Sequence, residues 1–178
     1  REGISVAHPS RFIFIGTMNP EEGELRPQLL DRFPLSVSVE RIGSVGDRME
    51  VVMRNVEFER DPAQFLEKYS DSQEELRNRI AQAKRLLPDV KMPERLLLGI
   101  CKACLDLKVD GMRPDIVICK AASTLAAFEK RGEVTLDDVL VASELALSHR
   151  TREGGFLKPA THEEIKKAIT EAVKEVKP

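Results

Sequence analysis

The stretch from Thr161 to Val176 limits what this chain can fold into more than any other. Ile165, Ala168, Ile169, Ala172, Val173 and Val176 fall on one helical stripe, and Thr161 with Glu164 at its head makes a capping box. A helix of this length with one apolar side needs a partner to bury that side, and repetition of the pattern predicts a bundle. The pattern does repeat. Met49, Val52, Met53 and Val56 form a stripe in a helix that begins near Asp47 and is closed by Asp61-Pro62. Ser72 with Glu75 makes a capping box for a second helix, with Leu76, Ile80, Ala83 and Leu87 on one side before Pro88. Pro93 starts a third, running to about Leu107, with Leu97, Ile100, Cys101, Cys104 and Leu105 facing inward. A fourth spans roughly Arg113 to Arg131 and is ended by Gly132, and Thr135 with Asp138 begins a fifth carrying Leu136, Val139, Leu140, Ser143 and Ala146. Ser148 to Pro159 is a polar connector with an Arg-rich start.

The first forty residues read differently. Phe12-Ile13-Phe14-Ile15 is too uniformly apolar for a strand with one wet face, so it predicts a strand buried on both sides of a parallel sheet. Gly16, Thr17 and Asn19 follow, which puts an amide side chain beyond the carboxyl end of that strand, where open α/β sheets bind ligands. Pro20 to Gly23 is turn chemistry, and Leu25 to Phe33 predicts a short amphipathic helix with Leu29, Leu30 and Phe33 on its packed side. Leu35 to Val39 alternates like a last strand, Arg41 to Gly46 is a linker, and Ile4 to His8 alternates like one arm of a hairpin. The expected organisation is an α/β remnant over residues 1–40 and an all-α bundle over 41–178, helical in the main.

Composition narrows the function classes. A length of 178 residues allows one sizeable core or two small ones, and a net charge of −2 gives no basic footprint for nucleic acid or an anionic membrane. No apolar run approaches the ~20 residues that span a bilayer, so a soluble, intracellular protein is expected. Cys101 and Cys104 share one apolar helix stripe with no second pair following, which favours core packing over a metal or redox site; Cys119 reads the same way. His8, His149 and His162 are scattered, without metal-ligand spacing. No metal site and no tetrapyrrole ligand is expected in this chain.

The run TMNPEEGELRPQLLDRF, Thr17 to Phe33, resembles the second half of the nucleotide-binding domain in the ATPase subunit of magnesium chelatase, within the AAA+ superfamily. Pro34 departs from the small residue expected after Arg-Phe and touches only the exit from the helix. The resemblance implies that Asn19 is the sensor-1 residue and Arg32 the arginine finger. The looser likeness of GMRPDIVICKAASTLAAF to a sensor-2 helix implies that Arg113 is the sensor arginine. Arg26 is more readily a packing or salt-bridge residue, and Arg150 and Arg152 fit the C-terminal dipole of the fifth helix. The chemistry suits these types. A neutral amide can orient water beside a γ-phosphate without charge repulsion, and a guanidinium matches phosphoryl oxygens with a forked donor set.

On the resemblance, residues 1–40 end an AAA+ core and 41–178 form its helical lid. It further implies ATP and Mg2+ as cofactors, a homo-oligomeric ring of six subunits, a larger AAA+ subunit with an adhesion-type domain, and a porphyrin-binding subunit. Location would be the cytoplasm, or the plastid stroma in a plant or alga. A MoxR-type or cobalt-chelatase-like ATPase and a non-hydrolysing helical adaptor are the competing readings. The chain has no GxxxxGK[ST] loop and no apolar strand ending in paired acids, so it reads as part of a longer protein. The 178-residue chain alone is therefore expected to show no ATP turnover above a heat-killed control.

Overall fold

In the computed structural model, residues 8–10, 12–19, 21, 27–30 and 32–177 are described. The elements in order are α1 (Pro27–Leu30), α2 (Val45–Arg60), α3 (Pro62–Lys68), α4 (Ser70–Leu86), α5 (Glu94–Asp106), α6 (Arg113–Phe128), α7 (Leu136–Leu147) and α8 (His162–Glu175). Short 3-10 turns lie at Leu87–Asp89 and Glu153–Gly155. The protein is mainly helical, as its stripes predict.

The core belongs to α5 through α8, with α4 laid against α6. Ile100, Ile118, Val139, Ala146, Ile165 and Ile169 are buried at its centre. The two closing helices begin as expected. Thr135 and Thr161 each accept from the backbone N–H three residues on, and Asp138 and Glu164 reach back to complete reciprocal capping boxes. Asp138 is itself buried, and Arg131 grips both of its carboxylate oxygens at 2.6 Å. Burial alone would push this carboxyl up, but the bonds from Arg131 and Thr135 hold it below its ordinary range.

The third helix turns a different side inward from the one its large residues suggest. Its buried residues are Leu96, Gly99, Ile100, Ala103 and Cys104, while Leu97 and Leu105 are exposed. The reason is α8. At Gly99 the backbone of α5 lies so close to Val173 that an added Cβ would fall 3.1 Å from the Val173 Cα and would overlap its side chain. The small residues therefore set the phase, with Leu96 and Ile100 beside them inside and Leu97 and Leu105 rotated out.

Three further expectations are corrected. Phe12–Ile15 and Leu35–Val39 form no strand among the described residues; Ile13 is 91% and Val39 93% exposed. A strand exists only by pairing, and no neighbouring strand is present among the described residues to supply the ladder. Of the helix expected over Leu25 to Phe33, α1 keeps four residues, with 22–26 and 31 outside the described set. The start at Ser72 is also displaced. Helix α4 begins at Ser70 behind Tyr69, without a side-chain cap, because Pro62 has already opened the short α3, which ends at Lys68. The apolar stripe of α2 forms, but α2 buries no residue.

Gly99→Ala is expected to lower stability by about 1–3 kcal/mol through overpacking, read as a fall in the urea midpoint. Val173→Ala in the same background should restore part of the loss.

Candidate functional site

The three residues singled out in the sequence occupy three separate segments. Asn19 is exposed at the end of the described stretch 12–19. Arg32 is exposed in the turn after α1, where its N–H donates to Leu29 O at 2.9 Å. Arg113 opens α6 and is exposed. Arg26 and Asp31 lie outside the described residues.

Phe33 connects the first two segments to the bundle. Its ring lies 5.2 Å from that of Phe14, centroid to centroid, and fills the space in front of Gly16, where a Cβ would come within 3.1 Å of Phe33 Cζ. The residues leading to Asn19 are thus packed on the residue that follows Arg32. The carbonyl of Phe33 points the other way. It accepts from His149 Nε2 at 2.9 Å and from Arg150 Nη2 at 3.4 Å, and Ser36 N–H donates to Leu145 O at 2.8 Å. His149 and Arg150 sit just past the C-terminus of α7.

Arg150 is 3% exposed, a rare environment for a guanidinium, and its Nε also donates to Ala146 O in the last turn of α7 at 3.3 Å. The expected match to the helix dipole is therefore met from inside the protein and not from its surface. His149 is half-buried. Burial lowers its pKa, the bond to Phe33 O raises it, and the charge of Arg150 lowers it again, leaving it below the ordinary imidazole value. The neutral ring donates through Nε2, which leaves a buried Nδ1 without a partner among the described residues. No sequence motif marks His149; the signal was its position beside the Arg-rich connector.

Arg113 is approached by a loop that is also held. Asp110 N–H donates to Thr151 O at 3.2 Å, Asp110 Oδ1 accepts from Gly154 N–H at 2.8 Å, and Arg152 Nε donates to Leu107 O at 2.7 Å. Arg152 is therefore a stitch between segments, which a dipole reading alone does not foresee.

The cysteines behave as core residues. All three are free, Cys104 is buried, and burial followed by the nearby Asp115 carboxylate pushes the Cys104 thiol up, so it stays protonated. Cys101 and Cys119 shift the same way, burial first. Among the described residues no group of three or more His, Cys, Asp or Glu side chains is placed to hold a metal ion. Nor is any helix among them long and apolar enough to cross a membrane.

Residues 98–173, from within α5 to near the end of α8, match the AAA lid domain family. Over most of its length the chain is also similar to magnesium-chelatase ChlI subunits, and it matches a C-terminal part of that AAA+ subunit. It is 49% identical over 164 residues to the magnesium-chelatase subunit ChlI homolog of Methanocaldococcus jannaschii, covering 92% of this chain and 45% of the relative. Against the magnesium-chelatase subunit ChlI of Anabaena variabilis it is 46% identical over 153 residues, 86% of this chain and 45% of the relative. Against that of Cyanidium caldarium it is 44% identical over 170 residues, 96% of this chain and 48% of the relative. The chain thus spans just under half the length of these curated relatives.

The depressed pKa of His149 fixes the sign of a pH effect. The unfolded chain takes up the proton first, so the stability that the neutral ring contributes is complete above the unfolded value of 6.5 and is lost as pH falls from there through the lower folded value. The melting temperature should accordingly drop more steeply between about pH 7 and about pH 5 in the native protein than in His149→Gln.

Proposed function

We propose that this chain is the sensor and lid portion of an AAA+ ATPase that acts as the motor subunit of a magnesium chelatase, driving magnesium into protoporphyrin IX. In this reading residues 1–40 close the nucleotide-binding core and 41–178 form the lid. ATP sits between subunits of a ring, and the ring works with a larger AAA+ subunit and a porphyrin-binding subunit. Bound ATP with its Mg2+ supplies the phosphoryl group to be cleaved.

The observation that carries the reading is the place of Arg113 within the lid domain. It stands on the first turn of a sixteen-residue helix, where the helix dipole opposes a cation. A guanidinium is fitted to phosphate oxygens by its forked donors, and Asp115 already supplies an anion to this first turn. Arg32 has the same chemistry and is exposed, so it is available to a neighbouring subunit. Asn19 offers an uncharged amide to orient the attacking water. Donors of these types suit the oxygens of a triphosphate. The magnesium ion would be held mainly by residues outside this chain.

Each role predicts a distinct loss. An arginine finger acts on charge that develops in the transition state and is worth about 10³–10⁵-fold in rate. Arg32→Ala in the complete protein should therefore abolish ATP hydrolysis by the assembled ring yet leave ATP binding largely in place. Mixing decides whether the finger acts across a subunit boundary. Rings assembled from Arg32→Ala subunits and subunits lacking the phosphate-loop lysine should regain activity wherever an intact finger faces an intact site. Mixed rings that form and stay inactive at every ratio would remove the finger role from Arg32.

A further inference from the structure

The bonds around Phe33 and those around the loop before Arg113 converge on one short piece of chain, His149 to Gly154. At one end His149 Nε2 and Arg150 Nη2 donate to Phe33 O, one residue past Arg32. At the other, Thr151 O accepts from Asp110 N–H, Arg152 Nε donates to Leu107 O, Glu153 N–H donates to Lys108 O at 2.9 Å, and Gly154 N–H donates to Asp110 Oδ1. Arg113 begins three residues after Asp110. The six residues span at most about 20 Å of chain, too short to absorb a shift at one end with slack at the other.

Two features show that this piece is held rather than draped. Lys108 and Glu153 both have left-handed backbones, φ 56° and 51°, uncommon for residues with a Cβ. They are bonded to one another, by the Glu153 N–H and again by Lys108 Nζ to Glu153 Oε1 at 3.0 Å. Strained residues persist where surrounding contacts over-determine them. At the other end the anchor is Arg150, a buried cation that donates to Ala146 O and Phe33 O, so moving it disturbs bonds made out of reach of water.

We propose that residues 149–154 are a positioning strap that fixes the backbone beside Arg32 relative to the backbone ahead of Arg113, so that the two arginines move as one unit. This rests on the roles assigned to Arg32 and Arg113 above. His149 and Arg150 are the positioning residues on the Arg32 side, and Asp110 and Arg152 those on the Arg113 side. None of the four needs to touch nucleotide. A lid that shifts when its arginine engages phosphate then shifts the finger with it.

The test joins amide exchange with kinetics in the complete protein. His149→Ala should speed exchange of the Ser36 amide and, across the strap, of the Asp110 amide, while the amides inside α7 keep their protection. Speeding at Ser36 alone would mean two independent anchors and would overturn the strap. In ATP hydrolysis, His149→Ala should lower kcat about five- to tenfold with KM for ATP within about twofold, and His149→Gln, which keeps a donor, should recover most of it. Asp110→Ala should cost a similar factor, and the double variant should be little worse than the poorer single one. Losses that multiply, or that Gln fails to recover, count against the strap. Normal hydrolysis by both Arg32→Ala and Arg113→Ala would instead remove the roles of the arginines, and the exchange result would still decide whether the strap exists.

Discussion

The approach of α5 to α8 is the contact on which the rest of the bundle is built, and it depends on the absence of a side chain at Gly99. Val173 occupies the space a methyl group would need. With the two backbones this close, Ile100 and Ala103 on one helix and Ile169 and Ala172 on the other are sealed from water, and α6 and α7 are left to close the remaining sides. Arg95 then ties the edge of the pair, its Nε donating to Val173 O at 2.9 Å. Close packing of this kind is rigid. A bundle so held can carry its surface loops as fixed attachments, and both ends of the 149–154 segment are of that sort.

How legible this was depends on what each signal reports. The stripe at Ile165 to Val173 and the two Thr-x-x-acid boxes gave α7 and α8 nearly to the residue, because caps and apolar periodicity are local properties that the tertiary contacts happened to reinforce. Helix α5 was found, but its face was misjudged at Leu97 and Leu105. Bulk marks what can be buried, whereas the contact itself was written in Gly99 and Ala103, whose smallness carries no hydrophobic weight. The runs at Phe12 and Leu35 read as strands because β pairing is a property of two segments, and a single sequence shows only one of them. Likewise the stripe on α2 is apolar at the right spacing yet covers nothing, since periodicity states that a face could be buried and not what would bury it.

The site divides along similar lines. Asn19, Arg32 and Arg113 were selectable because short contiguous runs around them resemble a known family. His149, Asp110 and Arg152 were not, since they act by bonding backbone atoms 41 to 116 positions away, a relation no local pattern encodes. The Arg-rich start of the connector did show where cations accumulate. It said nothing of where they point, and one of them is buried.

Phe33 has a consequence for how such a chain can vary through descent. The atom that His149 and Arg150 hold is a main-chain oxygen, present whatever side chain occupies position 33. Substitutions there can alter the packing on Phe14 without removing the acceptor. An inserted or deleted residue between Arg32 and Ser36 is a different matter, because it would carry the carbonyl and the Ser36 amide out of register with α7 together. The junction is thus tolerant of changed letters and intolerant of changed length, and lineages sharing it should keep the spacing across this turn even where they no longer share its residues.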